Sequence, residues 1–470
     1  MSLISNKLET SVFSDESQTS GFKTPTDYTI VAANIFSGTM SPVDFKDMIV
    51  ELSYFEDMFG CVASGNCVIH DAQNIMSSMQ FNGNEYIRLS FGKTDDNCID
   101  KMFRIYKCST RNRSVGNNQE SYVIYFCSDE LLLSEQSRVS KSYSGKTVKF
   151  IINDILKNYL LVDEKIVNEN SLEDTKGVYD FVIPNMKPFE AIHYVSQYAT
   201  SSYNPYTVHD MVFYENRYGY TFVSLATLFK QTVYYSYDQR PKNMPESKYN
   251  DPVKFVNNII SFKILNSFDT LTDSVTGKSA NKTMSIDPLL RSVKSVLYNS
   301  VGQQAMGGTL NAGPTNNNAK NRFGNTQYEN YDSNIKTVVG QNSRENNDYI
   351  KKSQQPQKSF RSESVASQRS SLMNLINTNR VKVVVGGDPN ITVGRVVELN
   401  IYETGPNSGE NVVEPDPQYS GKYLISAVRH LMNGTGYYTI MECIKDSVNN
   451  PYNNVNNNSE IMKQVTSGKL

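Results

Sequence analysis

The stretch YVIYFC (Tyr122–Cys127) has apolar or aromatic side chains at every position. Successive side chains of a β-strand point to opposite faces, so both faces of a strand built from this stretch would be apolar. Such strands pack on both sides or belong to a sheet that closes on itself. This stretch therefore favours a β-rich fold.

Similar short stretches precede it, and Gly, Asn and Asp residues separate them. Regular short strands without intervening helices indicate an antiparallel barrel or sandwich. We therefore predict a first antiparallel β-barrel over residues 27–135. Its predicted strands are Tyr28–Phe36, Met48–Tyr54, Asn66–His70, Glu85–Phe91, Met102–Cys108 and Tyr122–Cys127.

Residues 136–249 have a mixed pattern that predicts an α/β insertion. Helical spacing is clearest at Val148, Ile151, Ile152, Ile155, Leu156 and Tyr159. A strand Val178–Ile183 is expected to end at Pro184. A second helix is predicted over Pro188–Ala199, because proline is tolerated in a first helical turn. Two more strands, His209–Tyr214 and Tyr220–Leu225, are predicted around a turn at Glu215–Gly219.

Strand patterns resume after the insertion and predict a second, similar antiparallel β-barrel over residues 250–299 and 361–449. Ile260, Phe262 and Ile264 alternate with other residues as a half-buried strand requires. A helix is expected at Ser364–Thr378. The later predicted strands are Val381–Val385, Arg395–Tyr402, Lys422–Leu431 and Tyr437–Lys445.

Three polar segments complete the predicted organisation: an N-terminal arm (1–26), an insertion (300–360) and a C-terminal tail (450–470). The insertion is rich in Asn, Gln, Gly and Ser. Such a composition buries too little apolar surface to offset the conformational entropy of the chain. We therefore expect the insertion to become ordered against neighbouring subunits.

Composition excludes several classes of function. The 46 Lys and Arg residues nearly balance the 48 Asp and Glu residues, giving a net charge of −2, which argues against a wholly basic nucleic-acid binder. No apolar run approaches the roughly 20 residues that span a bilayer. The first residues show no signal-peptide pattern. Six Cys residues are too few for a disulfide scaffold, so we expect synthesis in a reducing cytoplasm.

The motif Ser144-Gly145-Lys146-Thr147 opens the clearest predicted helix, where a phosphate-binding loop would lie. A P-loop requires another glycine five positions before Gly145, and Ser140 occupies that position. No buried strand is predicted before the motif. We therefore interpret it as a helix start, with Gly145 in the turn and Thr147 near the cap.

Metal-binding and catalytic patterns are weak. Cys67 and His70 have a spacing that zinc sites use, but on a strand they would point to opposite faces. The other Cys residues are scattered (Cys61, Cys98, Cys108, Cys127 and Cys443). His70, His193, His209 and His430 belong to no recognised catalytic frame, with His193 expected on a helix and His209 and His430 on strands. We therefore predict no catalytic, cofactor or metal residues, no cofactor and no enzymatic activity.

Nine stretches carry a further signal, because their order along the chain is more specific than any one of them. They are ELSYFEDMFG (Glu51–Gly60), SGNCVIHD (Ser64–Asp71), GNEYIRLSF (Gly83–Phe91), SYSGKTVKFIINDIL (Ser142–Leu156), IPNMKPFEAIHYVSQYA (Ile183–Ala199), FYENRYGYTFVSL (Phe213–Leu225), FDTLTDSVTGKSANKTMSIDP (Phe268–Pro288), GDPNITVGRVVEL (Gly387–Leu399) and SGKYLISAVRHLMNGTGYYTIMEC (Ser420–Cys443). In this order they resemble the central baseplate hub subunit of contractile-tailed bacteriophages, which is related to the base of the VgrG spike of type VI secretion.

This resemblance implies a homotrimer in the tail baseplate of the virion. Two similar barrels per chain would give a pseudo-sixfold ring that joins the sixfold tail tube to the threefold central spike. The implied partners are the tail tube protein, the spike protein, the tape measure protein and surrounding baseplate wedge proteins. DNA would pass through the channel only in transit, and the near-neutral charge would limit its adhesion.

Two other functions stay open at this point. A tail-associated cell-wall hydrolase would require a catalytic pair in a cleft, and the sequence shows no lysozyme or peptidase segment such as some hub-spike assemblies carry. A receptor-binding tail adhesin would be an elongated trimer with sequence repeats, and no repeat is visible. We therefore favour the structural hub.

Overall fold

The computed structural model describes residues 26–38, 41–79, 81–113, 119–162, 171–206, 208–239, 257–267, 269–278, 280–288, 291–299, 308–311, 313–314, 335–339, 362–377, 379–402 and 415–449. Strands dominate these residues, so the predicted mainly β fold is confirmed. The predicted tail, and the predicted N-terminal arm apart from Thr26, lie outside the described residues.

The strands follow one another in short segments with few long loops between them in the described ranges. In chain order they are β1 (Thr29–Phe36), β2 (Val43–Asp44), β3 (Ile49–Asp57), β4 (Ser64–Asp71), β5 (Tyr86–Gly92), β6 (Cys98–Arg113), β7 (Glu120–Cys127), β8 (Val139–Lys146), β9 (Tyr179–Met186), β10 (Met211–Asn216), β11 (Gly219–Ser224), β12 (Ser236–Asp238), β13 (Ser261–Asn266), β14 (Ala280–Asp287), β15 (Ser292–Asn299), β16 (Gly313–Pro314), β17 (Ile335–Val339), β18 (Asn379–Gly386), β19 (Val396–Asn400), β20 (Gly421–Asn433), β21 (Gly436–Lys445) and β22 (Ser447–Val448).

Helices are fewer and mostly short. They are α1 (Ile75–Met79), α2 (Asp129–Gln136), α3 (Val148–Asn158), α4 (Pro188–Ser196), α5 (Leu225–Phe229), α6 (Thr270–Thr276) and α7 (Ser362–Ile376), with a 3-10 turn at Lys46–Met48. None of the described helices is long and apolar enough to cross a membrane.

Thirteen strands form one sheet that joins both predicted barrel regions. Its order is β13-β18-β21-β20-β3-β4-β7-β6-β5-β1-β2, with β19 and β12 attached beside β20. The two regions meet where β3 pairs antiparallel with β20, from Ala427 opposite Asp57 to Asn433 opposite Glu51. Because the long β20 pairs with β21, β19 and β3, the two regions are hydrogen-bonded to each other.

The two predicted barrels are not confirmed. Among the described strands, no pairing brings the first strand of either region back to its last strand, so neither region forms a closed barrel. The strand-to-strand joint between β3 and β20 uses an edge that separate barrels would have used for their own closure. The observed arrangement is therefore a continuous sheet with two open ends.

Buried apolar side chains form three clusters. The first is drawn from residues 33–126 and also takes Met432 and Tyr437 from the later strands. The second lies within residues 139–222 and contains the buried face of α3. The third belongs to the later strands but includes Met58 and the hairpin residue Tyr214. The three regions therefore share core residues, and the exact domain boundaries stay a prediction.

Most predicted elements coincide with observed ones, and the exceptions have physical reasons. β9 continues through Pro184 to Met186, because Pro184 lies at a register shift of a two-stranded sheet, where no ladder donor is needed. His209 precedes β10 and is not on a strand. Leu225 opens α5 instead of ending a strand, since Ser224 caps the helix by accepting from Ala226 N.

Part of the polar insertion is described, and it contacts its own chain. The side chain of Asn311 donates to the backbone carbonyls of Lys422 and Ser447, at 3.1 and 3.0 Å. β17 pairs in parallel with β14. Most of residues 300–360 lies outside the described residues, and their contact with neighbouring subunits stays a prediction.

Candidate functional site

The hairpin β10–β11 brings a buried carboxylate to the place where all three regions meet. Glu215 accepts from Ala63 N at 2.8 Å, from Ser128 Oγ at 2.6 Å and from Lys101 Nζ at 2.9 Å. The side chains of Lys101 and Glu215 are only 15% and 6% exposed. These three donors come from the β3–β4 loop, the end of β7 and β6, so Glu215 fixes the hairpin to the first strand region.

Arg217, in the turn of the same hairpin, connects both strand regions. Its guanidinium donates to the carbonyl of Cys98 on β6, at 3.0 Å. It also donates to Pro389 O at 2.5 Å and to Asn390 Oδ1 at 2.9 Å, in the loop between β18 and β19. A planar guanidinium can hold several acceptors in a fixed geometry, so one side chain sets the relative position of three segments.

The same loop is held from the other side by Glu56 on β3. This carboxylate is 2% exposed and accepts from Tyr54 OH at 3.1 Å, Thr392 Oγ1 at 2.5 Å and Val393 N at 3.1 Å. Burial raises the pKa of Glu56, and the hydrogen bond from Thr392 opposes that rise. The buried carboxylate of Glu56 thus fixes the loop to the first strand region.

His430 on β20 lies fully buried beside this loop. Its Nε2 is 3.1 Å from Ile391 O, and its Nδ1 is 2.8 Å from the Tyr437 hydroxyl. Burial lowers the pKa of His430 to about 3, so the imidazole is neutral at ordinary pH. We call Glu56, Lys101, Glu215, Arg217 and His430 together the polar junction.

The polar junction is built to position segments. Its charged groups are each paired or hydrogen-bonded inside the chain. No group of three His, Cys, Asp or Glu residues in the described ranges could hold a metal ion. A small cavity of about 20 Å³ lies elsewhere, between α5 and α7, and has mostly aliphatic walls, which is room for one water molecule.

The structure shows what the motif at Ser144–Thr147 does. Thr147 caps α3 by accepting from Phe150 N at 3.3 Å, and Gly145 has a φ of +62°. The amide of Gly145 and the hydroxyl of Ser144 both donate to the carboxylate of Asp180, at 2.9 and 2.8 Å. A carboxylate occupies the donors that would bind phosphate, and the helix start at Thr147 is confirmed. Gly145 lies within strand β8, at a register shift, and not in the predicted turn.

The sequence-predicted metal and histidine candidates are not brought together. Cys67 is buried on one face of β4, whereas His70 is exposed on the other and contacts Ser121 Oγ at 2.9 Å. His193 lies on α4 as predicted. His430 lies on β20 as predicted. Each has a separate environment, in line with structural roles.

Sequence reasoning missed the residues of the polar junction. Glu215 and Arg217 lie in the stretch that was predicted to be a turn, and charged residues in turns are ordinarily exposed. Glu56 and His430 lie on strands with no pattern that sets them apart. Glu56 pairs with Thr392, 336 residues further along the chain, and such contacts depend on the tertiary fold, which a single sequence does not reveal.

The fold has counterparts among solved structures. The 43 kDa tail protein of prophage MuSo2 from Shewanella oneidensis aligns with a TM-score of 0.50 and 7% identity, over 89% of this chain and 99% of that one. A tail protein from Neisseria meningitidis MC58 aligns with a TM-score of 0.50 and 9% identity, over 89% of this chain and 97% of that one. An Escherichia coli component of the type VI secretion system reaches a TM-score of only 0.43, with 9% identity.

These alignments show a shared fold. They extend over nearly the whole of both tail proteins, so the predicted resemblance to phage tail proteins is confirmed for the fold. No protein-family model matches the sequence. No curated protein matches it either.

Proposed function

We propose that this chain is a structural component of a phage-type tail baseplate, a trimeric hub ring that joins the tail tube to the central spike and surrounds the channel for DNA. The observation that carries the proposal is the fold likeness to two tail proteins, over 89% of this chain and 99% or 97% of theirs. A match of nearly full length on both sides means that the whole architecture is shared.

The open ends of the main sheet support assembly with other copies. At one end, β13 pairs only with β18 among the described strands and leaves Ile264 and Leu265 each 41% exposed. At the other end, β2 spans only two residues and leaves most of β1 uncovered. Unpaired strand edges are templates for strands of another chain, and the two predicted barrels would then be completed between subunits.

The polar junction supports a role as a rigid connector. It holds the hairpin and both strand regions through buried, charge-assisted hydrogen bonds, which fix orientation better than apolar contacts do. A ring that connects a tube to a spike requires subunits of fixed shape. The proposed partners are the tube, spike, tape measure and wedge proteins, and DNA passes only in transit.

An image of the assembled tail particle tests this proposal. We expect three copies of the chain between the tail tube and the spike, and a mass in solution of three times 53.0 kDa for the isolated protein. A particle in which the chain lies on a fibre or at the periphery would overturn the hub assignment. Release of soluble fragments from purified cell walls by the isolated chain would instead favour the hydrolase.

A further inference from the structure

In the three-stranded sheet β15-β14-β17, the central strand β14 is packed with its polar side chains inward. On β14, Asn281, Thr283 and Ser285 are completely buried. The side chain of Asn281 donates to Ser367 O at 3.2 Å, and the hydroxyls of Thr283 and Ser367 contact each other. These hydrogen bonds join the face to helix α7, so the orientation of the sheet on the helix is fixed.

The opposite face of the same sheet is open, and its described side chains are mainly aliphatic, with Ser295 and Thr337 on either side of Met284. Strand register places Ile286 opposite Val293, and places Lys282 beside both Leu297 and Ile335. Val293, Leu297 and Ile335 are 60%, 59% and 58% exposed, and Met284 and Ile286 are half-buried. We call Met284, Ile286, Val293, Leu297 and Ile335 the aliphatic face.

On the central strand β14 this arrangement reverses the usual one, in which the apolar face of a sheet packs on its helix and the polar face meets water. Three side chains that are each about 60% exposed, with two half-buried neighbours, present on the order of 400 Å² of apolar surface on this face. A patch of this size is comparable to the largest one on a typical monomer, and such patches are often functional.

Composition indicates what kind of partner covers it. The adjoining segments 289–290, 300–307, 315–334 and 340–361 contain few large aliphatic or Phe residues: Leu289, Leu290, Val301, Met306, Phe323, Ile350 and Phe360. They therefore offer little aliphatic surface of their own. Among the outward-facing side chains that the structure describes on this sheet, Lys282 is the only charged one, and interfaces depleted of charge are typical of permanent contacts between identical subunits.

We infer that the aliphatic face is a contact between copies of this chain, where Val293, Leu297 and Ile335 pack against a second copy. The inference rests on the proposed assembly of several copies and adds the surface that they use. It also explains the buried polar side chains. Helix α7 packs on one face of the sheet, and the second copy packs on the aliphatic face.

The test compares Leu297→Lys with Val182→Lys, in the full-length protein. Both residues are exposed aliphatics on strands, Val182 at 68%, so neither substitution should prevent folding. Multi-angle light scattering over a dilution series should show the wild type and Val182→Lys as oligomers. The Leu297→Lys protein should dissociate at a concentration at least tenfold higher.

A second variant checks the contact directly. In the oligomer, the thiol of Val293→Cys should react with an alkylating reagent at least tenfold more slowly than that of Val182→Cys, because a second copy covers it. An oligomer that is unaffected by Leu297→Lys, together with equally fast alkylation at both positions, overturns the inference but leaves the hub proposal standing. A wild type that stays monomeric also overturns it, whereas failure of the hub proposal itself would appear as a different position of the chain in the particle image.

Discussion

The polar junction and the aliphatic face differ in which side chains they bury: the junction buries charged groups, and the aliphatic face leaves apolar groups exposed. At the junction, Lys101 and Glu215 leave water almost completely and find every major partner inside the chain. On the aliphatic face, Val293 and Leu297 remain about 60% exposed while polar Thr283 is buried behind them. The junction is complete within one chain, and the aliphatic face is not.

The difference indicates where the chain keeps its shape and where it joins other molecules. Separating one partner of a buried, charge-assisted hydrogen bond leaves the other group buried and unpaired, which costs free energy. A junction built from such bonds therefore resists rearrangement. An exposed aliphatic surface stabilises an assembly only when another surface covers it and removes it from water. Substitutions in the two places should therefore affect different measurements.

The largest effect is expected for Glu215→Ala. This change leaves the ammonium of Lys101 buried without its carboxylate, and removal of one partner of a buried ion pair typically lowers the free energy of unfolding by about 3–5 kcal/mol. Urea unfolding followed by circular dichroism measures it, since the chain has no Trp. The control is Glu135→Ala, whose 53% exposed carboxylate pairs with Lys187 and should contribute less than about 1 kcal/mol. Equal losses of unfolding free energy in Glu215→Ala and Glu135→Ala would contradict the distinction between the buried and the exposed ion pair.

Gly394→Ala should have the next largest effect. Gly394 has a φ of +87°, and an added Cβ would lie 2.1 Å from the Tyr214 hydroxyl oxygen. We expect a loss of about 2–4 kcal/mol from strain and overpacking, part of which Tyr214→Phe should restore in the double variant. Gly83→Ala is the matched control, because Gly83 has a φ of +91° and its added Cβ would meet nothing within 4 Å. If Tyr214→Phe restores nothing, the close approach is not the cause.

A smaller, pH-dependent effect is expected from His430. Its pKa falls from 6.5 in the unfolded chain to about 3 in the folded one, so below pH 6.5 only the unfolded chain takes up this proton. Stability from this group is therefore present above pH 6.5 and is lost as the pH falls towards 3, by about 2 kcal/mol between pH 7 and pH 5.

The variant His430→Gln isolates this contribution. Unfolding free energies at pH 5 and pH 7 should differ by about 2 kcal/mol less in this variant than in the wild type. Burial raises the pKa of Asp446 to about 6, which acts in the opposite direction, but this group is common to both proteins and cancels. The exposed His70→Gln variant serves as the control. An unchanged pH dependence in His430→Gln would show that His430 takes up the proton in the folded state.

The smallest effect on folding is expected for Leu297→Lys. A substitution at an exposed position should change the free energy of unfolding of the dissociated chain by no more than about 0.5 kcal/mol. Unfolding at concentrations below the dissociation range measures it. A loss above about 2 kcal/mol would mean that the aliphatic face contributes to the core of a single chain, and the contrast with the junction would fail.

Local patterns predicted much of this fold. The six strands predicted in the first region all occur, and helix α3 covers Val148–Asn158, close to its predicted extent. These elements rest on short-range periodicity, which the sequence displays directly. The pairing of β3 with β20 joins residues such as Asp57 and Ala427, and no local pattern contains that information.

The candidate surfaces were less predictable for a related reason. Glu215 and Arg217 look like turn residues until three segments surround them. The alternation of Asn281, Thr283 and Ser285 with Lys282, Met284 and Ile286 is visible in the sequence, but the ordinary interpretation would place the aliphatic set inside. Only contacts with α7 show that this orientation is reversed.

The pairing of β3 with β20 also has a mechanical consequence. Inter-strand hydrogen bonds in an antiparallel pair lie perpendicular to the strands. A force along the strand direction therefore stretches all the bonds from Asp57 to Glu51 together, whereas a force across the strands breaks them one after another. The joint between the two halves should resist sliding far more strongly than peeling, which gives the subunit a stiff axis and a weak one.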